Sequence, residues 1–181
     1  MVVLANSQND VDDLGAMLCG RMNAKAHTLR GVAREVLGDF SGAVSDYDEV
    51  IKLKPADSDW ERLYRQTLLW RLGCPPEAFS KDLGGCKLGW TQTIARFLAG
   101  QLDEAALLEA AQKNNGVAVP EQNGLAWYYI GTMRLSKGDL AGAREMFEKC
   151  LHDHLKGDDE YEFAVAELAR LKTATPQQRD H

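Results

Sequence analysis

Apolar residues recur every three or four positions along most of the chain, as they do in amphipathic helices. This spacing predicts helices over 24–38, 41–53, 60–73, 90–100, 102–113, 125–138, 141–155 and 160–172. Residues 74–89 are rich in Pro and Gly, which predicts a loop with a short helix from about 76 to 83. Because no segment alternates apolar and polar residues at a period of two, we expect an all-α protein without a sheet.

Glycines and prolines mark where the predicted helices end. Gly38 follows the first helical segment, and a glycine in the left-handed conformation is a common helix cap. Ser41 is a suitable N-cap for the second helix, and Pro55 is expected to stop it. Connections this short place neighbouring helices antiparallel, so the helices are expected to form hairpins. One side of the first predicted helix carries Ala26, Leu29, Ala33, Val36 and Leu37.

Two stretches of the chain repeat each other at an offset of 100 residues. LGDFSGAVSDYDEV occupies 37–50, and KGDLAGAREMFEKC occupies 137–150. The matching pairs are Gly38 and Gly138, Asp39 and Asp139, Gly42 and Gly142, Ala43 and Ala143, and the aromatic pair Tyr47 and Phe147. Such self-similarity indicates one structural unit used more than once, and the interval leaves room for two more units of about 34 residues.

The two copies resemble the tetratricopeptide repeat (TPR), a helix–turn–helix unit of about 34 residues. The resemblance is carried in 27–55 by Gly31, Gly38, Ala43, Tyr47 and Pro55, and in 127–150 by Trp127, Gly131, Gly138, Ala143 and Phe147. The copies depart from the family at His27, Arg34, Arg134 and Leu155. The resemblance implies a TPR-like α-solenoid of antiparallel helix hairpins, with 160–172 as a C-terminal capping helix.

Residues on the two helices of a hairpin are expected to meet in pairs. Gly31 lets the helices approach closely, and Tyr47 fills the space that the glycine leaves. Arg30 and Asp46 stand next to this pair, so a salt bridge between them is predicted. The corresponding residues of the second copy are Gly131, Phe147, Ile130 and Met146, so an apolar contact replaces the charged pair there.

The order of motifs over roughly 24–172 is similar to that of bacterial TPR proteins of the new-lipoprotein-I type. Members of that group are adaptors that hold peptidases and cell-wall hydrolases together at the envelope. The resemblance implies a protein–protein interaction module that acts as an adaptor or assembly scaffold. We expect an N-terminal segment 1–23, with a degenerate helix there as an alternative to an irregular segment, a TPR-like domain over 24–172 and a flexible tail over 173–181. The clear repeats lie at about 24–57 and 124–157, with degenerate units between them.

In a stack of helix pairs, the first helix of each pair lines the concave side. The residues expected to bind a peptide on this face are Thr28, Val32, Glu35, Tyr128, Thr132 and Leu135. Tyr128 is the strongest candidate, because a tyrosine offers a flat apolar ring and a polar tip. The face lacks the Lys and Asn residues with which some TPR proteins hold a C-terminal carboxylate, so no carboxylate clamp is expected.

Charge and hydropathy limit the classes of partner. The chain has 181 residues, 45% of them hydrophobic, and a net charge of −6. An acidic chain without a Lys/Arg-rich run disfavours nucleic acid and favours a neutral or basic protein partner. No apolar stretch reaches the roughly 18 residues of a membrane span, so no membrane insertion is expected. We expect a cytoplasmic protein as the chain stands, or a periplasmic or envelope-associated one if a signal was removed, with a homo-oligomer as an alternative to a monomer.

The familiar catalytic motifs are missing from the sequence, which contains no Gly-x-Ser-x-Gly, phosphate-binding loop or His-Glu-x-x-His. We therefore expect no enzyme activity, no cofactor and no metal. The alternative function is a small-molecule or metal-binding sensor in the Cys150–Glu160 region, where Cys150, His152 and His154 offer ligands for zinc or nickel. The competing explanation is that Cys150 fills a core position and the histidines lie at a solvated helix end, near the negative end of its dipole.

Overall fold

The structure is a computed structural model that describes residues 3–74, 83–86, 89–112, 119–153 and 156–173, without the side chains of 3–18, 119 and 120. These ranges contain no strand and eight α-helices, which confirms the all-α class: α1 (Val3–Leu37), α2 (Phe40–Leu53), α3 (Asp59–Arg71), α4 (Gly89–Leu98), α5 (Glu104–Gln112), α6 (Val119–Ser136), α7 (Leu140–Asp153) and α8 (Asp159–Thr173). The short helix expected at about 76–83 falls outside the described residues except for Leu83, as does the tail beyond Thr173. None of these helices is long and apolar enough to cross a membrane.

The first helix is longer than the hydrophobic pattern indicates. It begins at Val3, so most of the segment 1–23 belongs to α1 and is not a separate element. The backbone permits this extension because no proline precedes Pro55 in the chain. α1 ends at Leu37, and Gly38 follows in the left-handed conformation that was expected, with a φ of +86°.

An aspartate caps the second helix of each repeated hairpin. Asp39 Oδ1 accepts a hydrogen bond from the backbone N–H of Gly42 at 3.0 Å, and Asp139 accepts the same bond from Gly142 at 2.9 Å. The expectation that Ser41 is the N-cap is wrong, because α2 begins one residue earlier, directly after Asp39. A Cβ atom at either glycine would collide with the capping carboxylate. This contact explains why both copies contain Gly-Asp-x-x-Gly.

Each repeated hairpin packs a glycine against an aromatic ring, as predicted. A Cβ atom at Gly31 would lie 2.7 Å from the ring of Tyr47, and one at Gly131 would lie 2.8 Å from the ring of Phe147. These distances are shorter than a normal contact, so only glycine allows the two helices to come this close. The other small residues of the repeat, Ala43 and Ala143, are fully buried.

Two further repeat positions lie at the edges of the hairpins. Pro55 follows the end of α2 at Leu53, in agreement with its expected role as a stop. Trp127 is half-buried, and its indole N–H donates to Asp153 at 3.1 Å. The Lys149 ammonium lies 4.9 Å from the centre of the same ring. Trp127 therefore joins α6 to α7 through polar contacts as well as packing.

Consecutive helices pack on each other, and helices distant in the sequence also meet. α6 is central, because it packs against α3, α4, α5, α7 and α8. α8 also packs against α1, where Arg170 donates to the backbone carbonyls of Glu35 and Val36 at 2.7 Å each. The positions of α3 and α8 relative to α1 and α6 determine which faces of the hairpins stay open to solvent.

Candidate functional site

The structure buries half of the residues that the sequence places on a peptide-binding surface. Glu35, Tyr128 and Thr132 are only 4%, 2% and 5% exposed. The remaining three residues, Thr28, Val32 and Leu135, are partly buried. An open peptide surface is therefore the wrong expectation for Glu35, Tyr128 and Thr132. The sequence pattern missed this because side chains from α3 and α8 pack over the face that those residues share.

Four of the six residues meet around a very small cavity. Glu35, Tyr128, Thr132 and Leu135 line it together with Arg71. The other lining residues are Thr67, Leu68 and Glu167. The cavity volume is about 10 Å³, which is room for a water molecule and not for a peptide side chain.

Glu35 is a carboxyl group in the protein interior with hydroxyl partners. Tyr47 donates to Glu35 Oε2 at 3.0 Å, and Tyr128 donates to Oε1 at 3.4 Å. Burial raises the pKa of Glu35 to about 8, although these hydrogen bonds act to lower it, and the nearby carboxylates of Glu167 and Glu160 raise it further. In the described part of the chain no Lys or Arg side chain bonds to this carboxyl. Because pH 7 lies below this pKa, we expect Glu35 to be mainly protonated and neutral at pH 7.

A second buried glutamate continues the same polar cluster. Glu160 Oε1 accepts from the hydroxyl groups of Tyr64 at 3.2 Å and Tyr129 at 3.5 Å. The rings of Tyr128 and Tyr129 lie 5.1 Å apart, and burial raises the pKa of both hydroxyl groups well above the usual value. These tyrosines are hydrogen-bond donors that hold the helices in place. The cluster could not be predicted from the sequence, because its two glutamates lie on α1 and α8 while its tyrosines lie on α2, α3 and α6.

A charged cluster joins α1 to α2 and confirms the predicted salt bridge. Arg30 lies 2.6 Å from Asp46, Arg34 lies 2.7 Å from it, and His27 Nδ1 lies 2.8 Å from it. Burial alone would raise the pKa of Asp46, but hydrogen bonds from Arg30 and His27 and the charges of both arginines lower it to about 2. The corresponding apolar residues of the second copy, Ile130 and Met146, are buried.

The region proposed for the alternative function is divided between interior and surface. Cys150 is fully buried, and burial raises the pKa of its thiol above the usual value. His152 is exposed and pairs with Asp153 at 2.7 Å, while His154 lies outside the described residues. No group of three or more His, Cys, Asp or Glu side chains in the described part of the chain is arranged to hold a metal ion. The placement of Cys150 matches the explanation that it fills a core position.

An open cavity of about 350 Å³ lies where the first turns of α3 and α8 meet α6. Its lining includes Trp60, Glu121, Asp158 and Asp159. Burial, followed by the charge of Glu160, raises the pKa of Asp159. Carboxylate side chains and the ring of Trp60 line the cavity, but a group of carboxylates alone does not define a binding site.

α1 carries an exposed apolar stripe, which consists of Met22, Ala26, Leu29, Ala33 and Leu37. The three large side chains are 74%, 62% and 83% exposed. Their spacing of three or four residues places them on one face of the helix. Four of these five residues belong to the apolar side that the sequence pattern identified. In the structure these four residues face solvent, while the fifth residue of that side, Val36, packs against the core and Gly31 and Glu35 face the interior.

A scan against protein-family models and a search of curated proteins found no match to the chain. Its function must therefore be inferred from the internal repeat and from the surface that the structure exposes.

Proposed function

We propose that the chain is a TPR-like helical repeat protein that acts as a protein–protein interaction module, as an adaptor or an assembly scaffold. The observation that carries this proposal is the apolar stripe on α1, whose three large side chains are more than half exposed. Contiguous exposed apolar surface on a helix is typical of an interface. In helical repeats, each hairpin buries its apolar faces against neighbouring hairpins, so an uncovered face at one end can bind another protein.

The binding surface in this proposal differs from the concave surface predicted from the sequence. The interior that contains Glu35 and Tyr128 is occupied by the chain's own helices. The outer face of α1 is open and lies on the first helix of a repeated hairpin. Within the described residues, Cys150 is buried away from solvent and no metal-binding group is found, which does not favour the sensor function.

Capture from a native lysate tests the proposal when three surface variants are compared. Wild-type protein and the variants Leu29→Glu on α1, Trp60→Glu on α3 and Val165→Glu on α8 would be immobilised, and retained proteins quantified by mass spectrometry. All three replaced side chains are exposed large apolar residues, so the variants form a matched set. Circular dichroism would first establish that each variant is folded.

We expect a protein that binds saturably to the wild type and to the Trp60 and Val165 variants, but not to the Leu29 variant. A partner that all four proteins retain would support an interaction module and remove the α1 stripe as its site. If the wild type retains no protein saturably, the proposed function is wrong.

A further inference from the structure

In the second repeat, α6 has a face equivalent to the α1 stripe, and the exposure of the two faces can be compared. At the offset of 100 residues, Met22, Ala26, Leu29, Ala33 and Leu37 correspond to Gln122, Ala126, Tyr129, Met133 and Lys137 of α6. Gln122, Ala126 and Tyr129 are buried, and Met133 packs against the core. Only Lys137 is exposed. The face that is open on α1 is therefore covered on α6.

A short acidic helix packs on α6. α5 contains Glu104 and Glu109 as its only charged residues, and its apolar side chains Leu107 and Ala111 are fully buried. Glu104 forms a two-point ion pair with Arg134 of α6, with nitrogen–oxygen distances of 3.0 and 2.5 Å. α5 therefore joins α6 through an apolar side and one carboxylate.

The counterpart of Arg134 on α1 is Arg34, and its partners lie within its own hairpin. Arg34 lies 2.7 Å from Asp46 and 3.4 Å from Asp39, and its side chain remains 35% exposed. Among the described helices, α2 and α8 pack extensively on α1, and neither takes the place that α5 has on α6. Within the described residues, no helix occupies the position on α1 that α5 occupies on α6.

The charge around the stripe indicates the chemistry of the missing helix. Arg21, Lys25, Arg30 and Arg34 flank the stripe, and no acidic residue occurs between Asp13 and Glu35. Asp46 of α2 pairs with Arg30 and Arg34, and Asp39 pairs with Arg34, so the excess positive charge beside the stripe comes from Arg21 and Lys25. The net charge of −6 favoured a neutral or basic partner, but this face has the opposite local charge. A second copy bound through the same stripe would place like charges together, which opposes self-association. Alanines at 26 and 33 leave depressions for the side chains of a packed helix, whereas a membrane-binding face is favoured by bulky apolar residues.

We propose that the α1 stripe binds an acidic amphipathic helix of a partner protein, which packs on α1 as α5 packs on α6. The partner helix presents leucine or alanine to Leu29 and its neighbours and a carboxylate to Arg34. This inference rests on the proposed function and specifies the chemistry of the partner.

A peptide that reproduces α5 can be used to test whether the α1 stripe binds an acidic helix. A fluorescein-labelled peptide of residues 102–112, with a hydrocarbon staple between positions 105 and 112, reproduces α5 as a helix. Both staple positions are exposed in the structure, so the staple leaves the packing side unchanged. The staple is needed because so short a helix is unstable alone in water. Binding to the full chain would be followed by fluorescence anisotropy.

We expect saturable binding that weakens about tenfold or more with Leu29→Glu in the protein, and likewise with Glu104→Lys in the peptide. Val165→Glu on α8 is the matched control and is expected to leave the affinity unchanged. Higher salt is expected to weaken binding, because a carboxylate–arginine pair contributes to it.

Three results would overturn this inference while leaving the proposed function intact. Equal binding of the Glu104→Lys peptide and the original peptide would remove the acidic requirement. A dimer in sedimentation that Leu29→Glu dissociates would make a second copy the occupant. Binding of anionic lipid vesicles by the wild type but not by Leu29→Glu, together with no binding of the peptide, would identify a membrane surface instead.

Discussion

Replacing Glu35 by glutamine is expected to remove a large part of the pH dependence of folding stability. In the folded protein the pKa of Glu35 is about 8, against an ordinary value of 4.5. Between about pH 4.5 and about pH 8 the folded protein therefore holds a proton that the unfolded chain has lost. The stability contributed by Glu35 is fully present below about pH 4.5, falls as the pH rises and levels off above about pH 8.

The size of the change in folding stability follows from the shift in the pKa of Glu35. One pKa unit corresponds to about 1.4 kcal/mol, so a rise from 4.5 to about 8 corresponds to about 5 kcal/mol. Typical domains have a free energy of unfolding of roughly 5–15 kcal/mol, so the effect is measurable. A glutamine has nearly the shape of the protonated glutamate and stays neutral, and its amide can pair with the hydroxyl groups of Tyr47 and Tyr128.

The assay is urea unfolding at pH 5, 6, 7, 8 and 9, followed by tryptophan fluorescence, for wild type and Glu35→Gln. Subtracting the free energy of unfolding of the variant from that of the wild type at each pH cancels the contribution of the other titrating groups. The wild type is expected to lose about 4 kcal/mol relative to the variant between pH 5 and pH 9, because the first part of the loss falls below pH 5. Glu148→Gln, on the exposed side of α7, is the control and is expected to follow the wild type. A difference that stays constant from pH 5 to pH 9 would show that Glu35 is not protonated in the folded protein.

Three further predictions concern the packing of the hairpins. Gly131→Ala should lower the free energy of unfolding by about 1–3 kcal/mol, because its Cβ would overlap the ring of Phe147. Gly20→Ala should raise the free energy of unfolding by about 0.5–1 kcal/mol, because nothing lies within 4 Å of its Cβ position and alanine favours a helix. Thermal melts that rank the two variants in the opposite order would contradict this prediction. In a double-mutant cycle, Asp46→Met should lower the free energy of unfolding by about 1–3 kcal/mol, because it removes a buried hydrogen-bond acceptor, and Arg30→Ile should recover part of that loss. An additive result by urea unfolding would mean that the pair is not coupled. Cys150 should resist a thiol reagent at pH 8 in the folded protein and react after unfolding, because it is buried and burial raises the pKa of its thiol. Peptide mapping that finds Cys150 labelled in the folded protein would disprove its burial.

Contacts within one hairpin could be predicted from the sequence because the connecting turn is short. Arg30 and Asp46 lie 16 residues apart, and the tight turn at Gly38 brings their helices together in a single register. The glycine–aromatic contact at Gly31 and Tyr47 follows from the same register. Pairs of this kind depend on local geometry, which the spacing of residue types specifies.

Contacts between hairpins could not be predicted in this way. Glu35 and Tyr128 lie 93 residues apart, and their meeting depends on how α6 and α8 pack against α1. Helical periodicity assigns residues to a face but does not identify what covers that face. A glutamate in the pattern was therefore assigned to solvent, although Tyr47 and Tyr128 satisfy its carboxyl in the interior.

A comparison of equivalent positions in the two copies of the repeat distinguishes residues that serve folding from residues that serve binding. Met22 and Leu29 are exposed on α1, yet the residues at the equivalent positions of α6, Gln122 and Tyr129, are more polar and buried. If exposure alone selected the residue type, the exposed copy would carry the more polar side chains. The described residues of this chain do not cover Met22 or Leu29, so packing against them does not account for methionine and leucine at these positions. The reversal is expected if another molecule covers α1 in the assembled state, which is why the Leu29 variant is the most informative one to make.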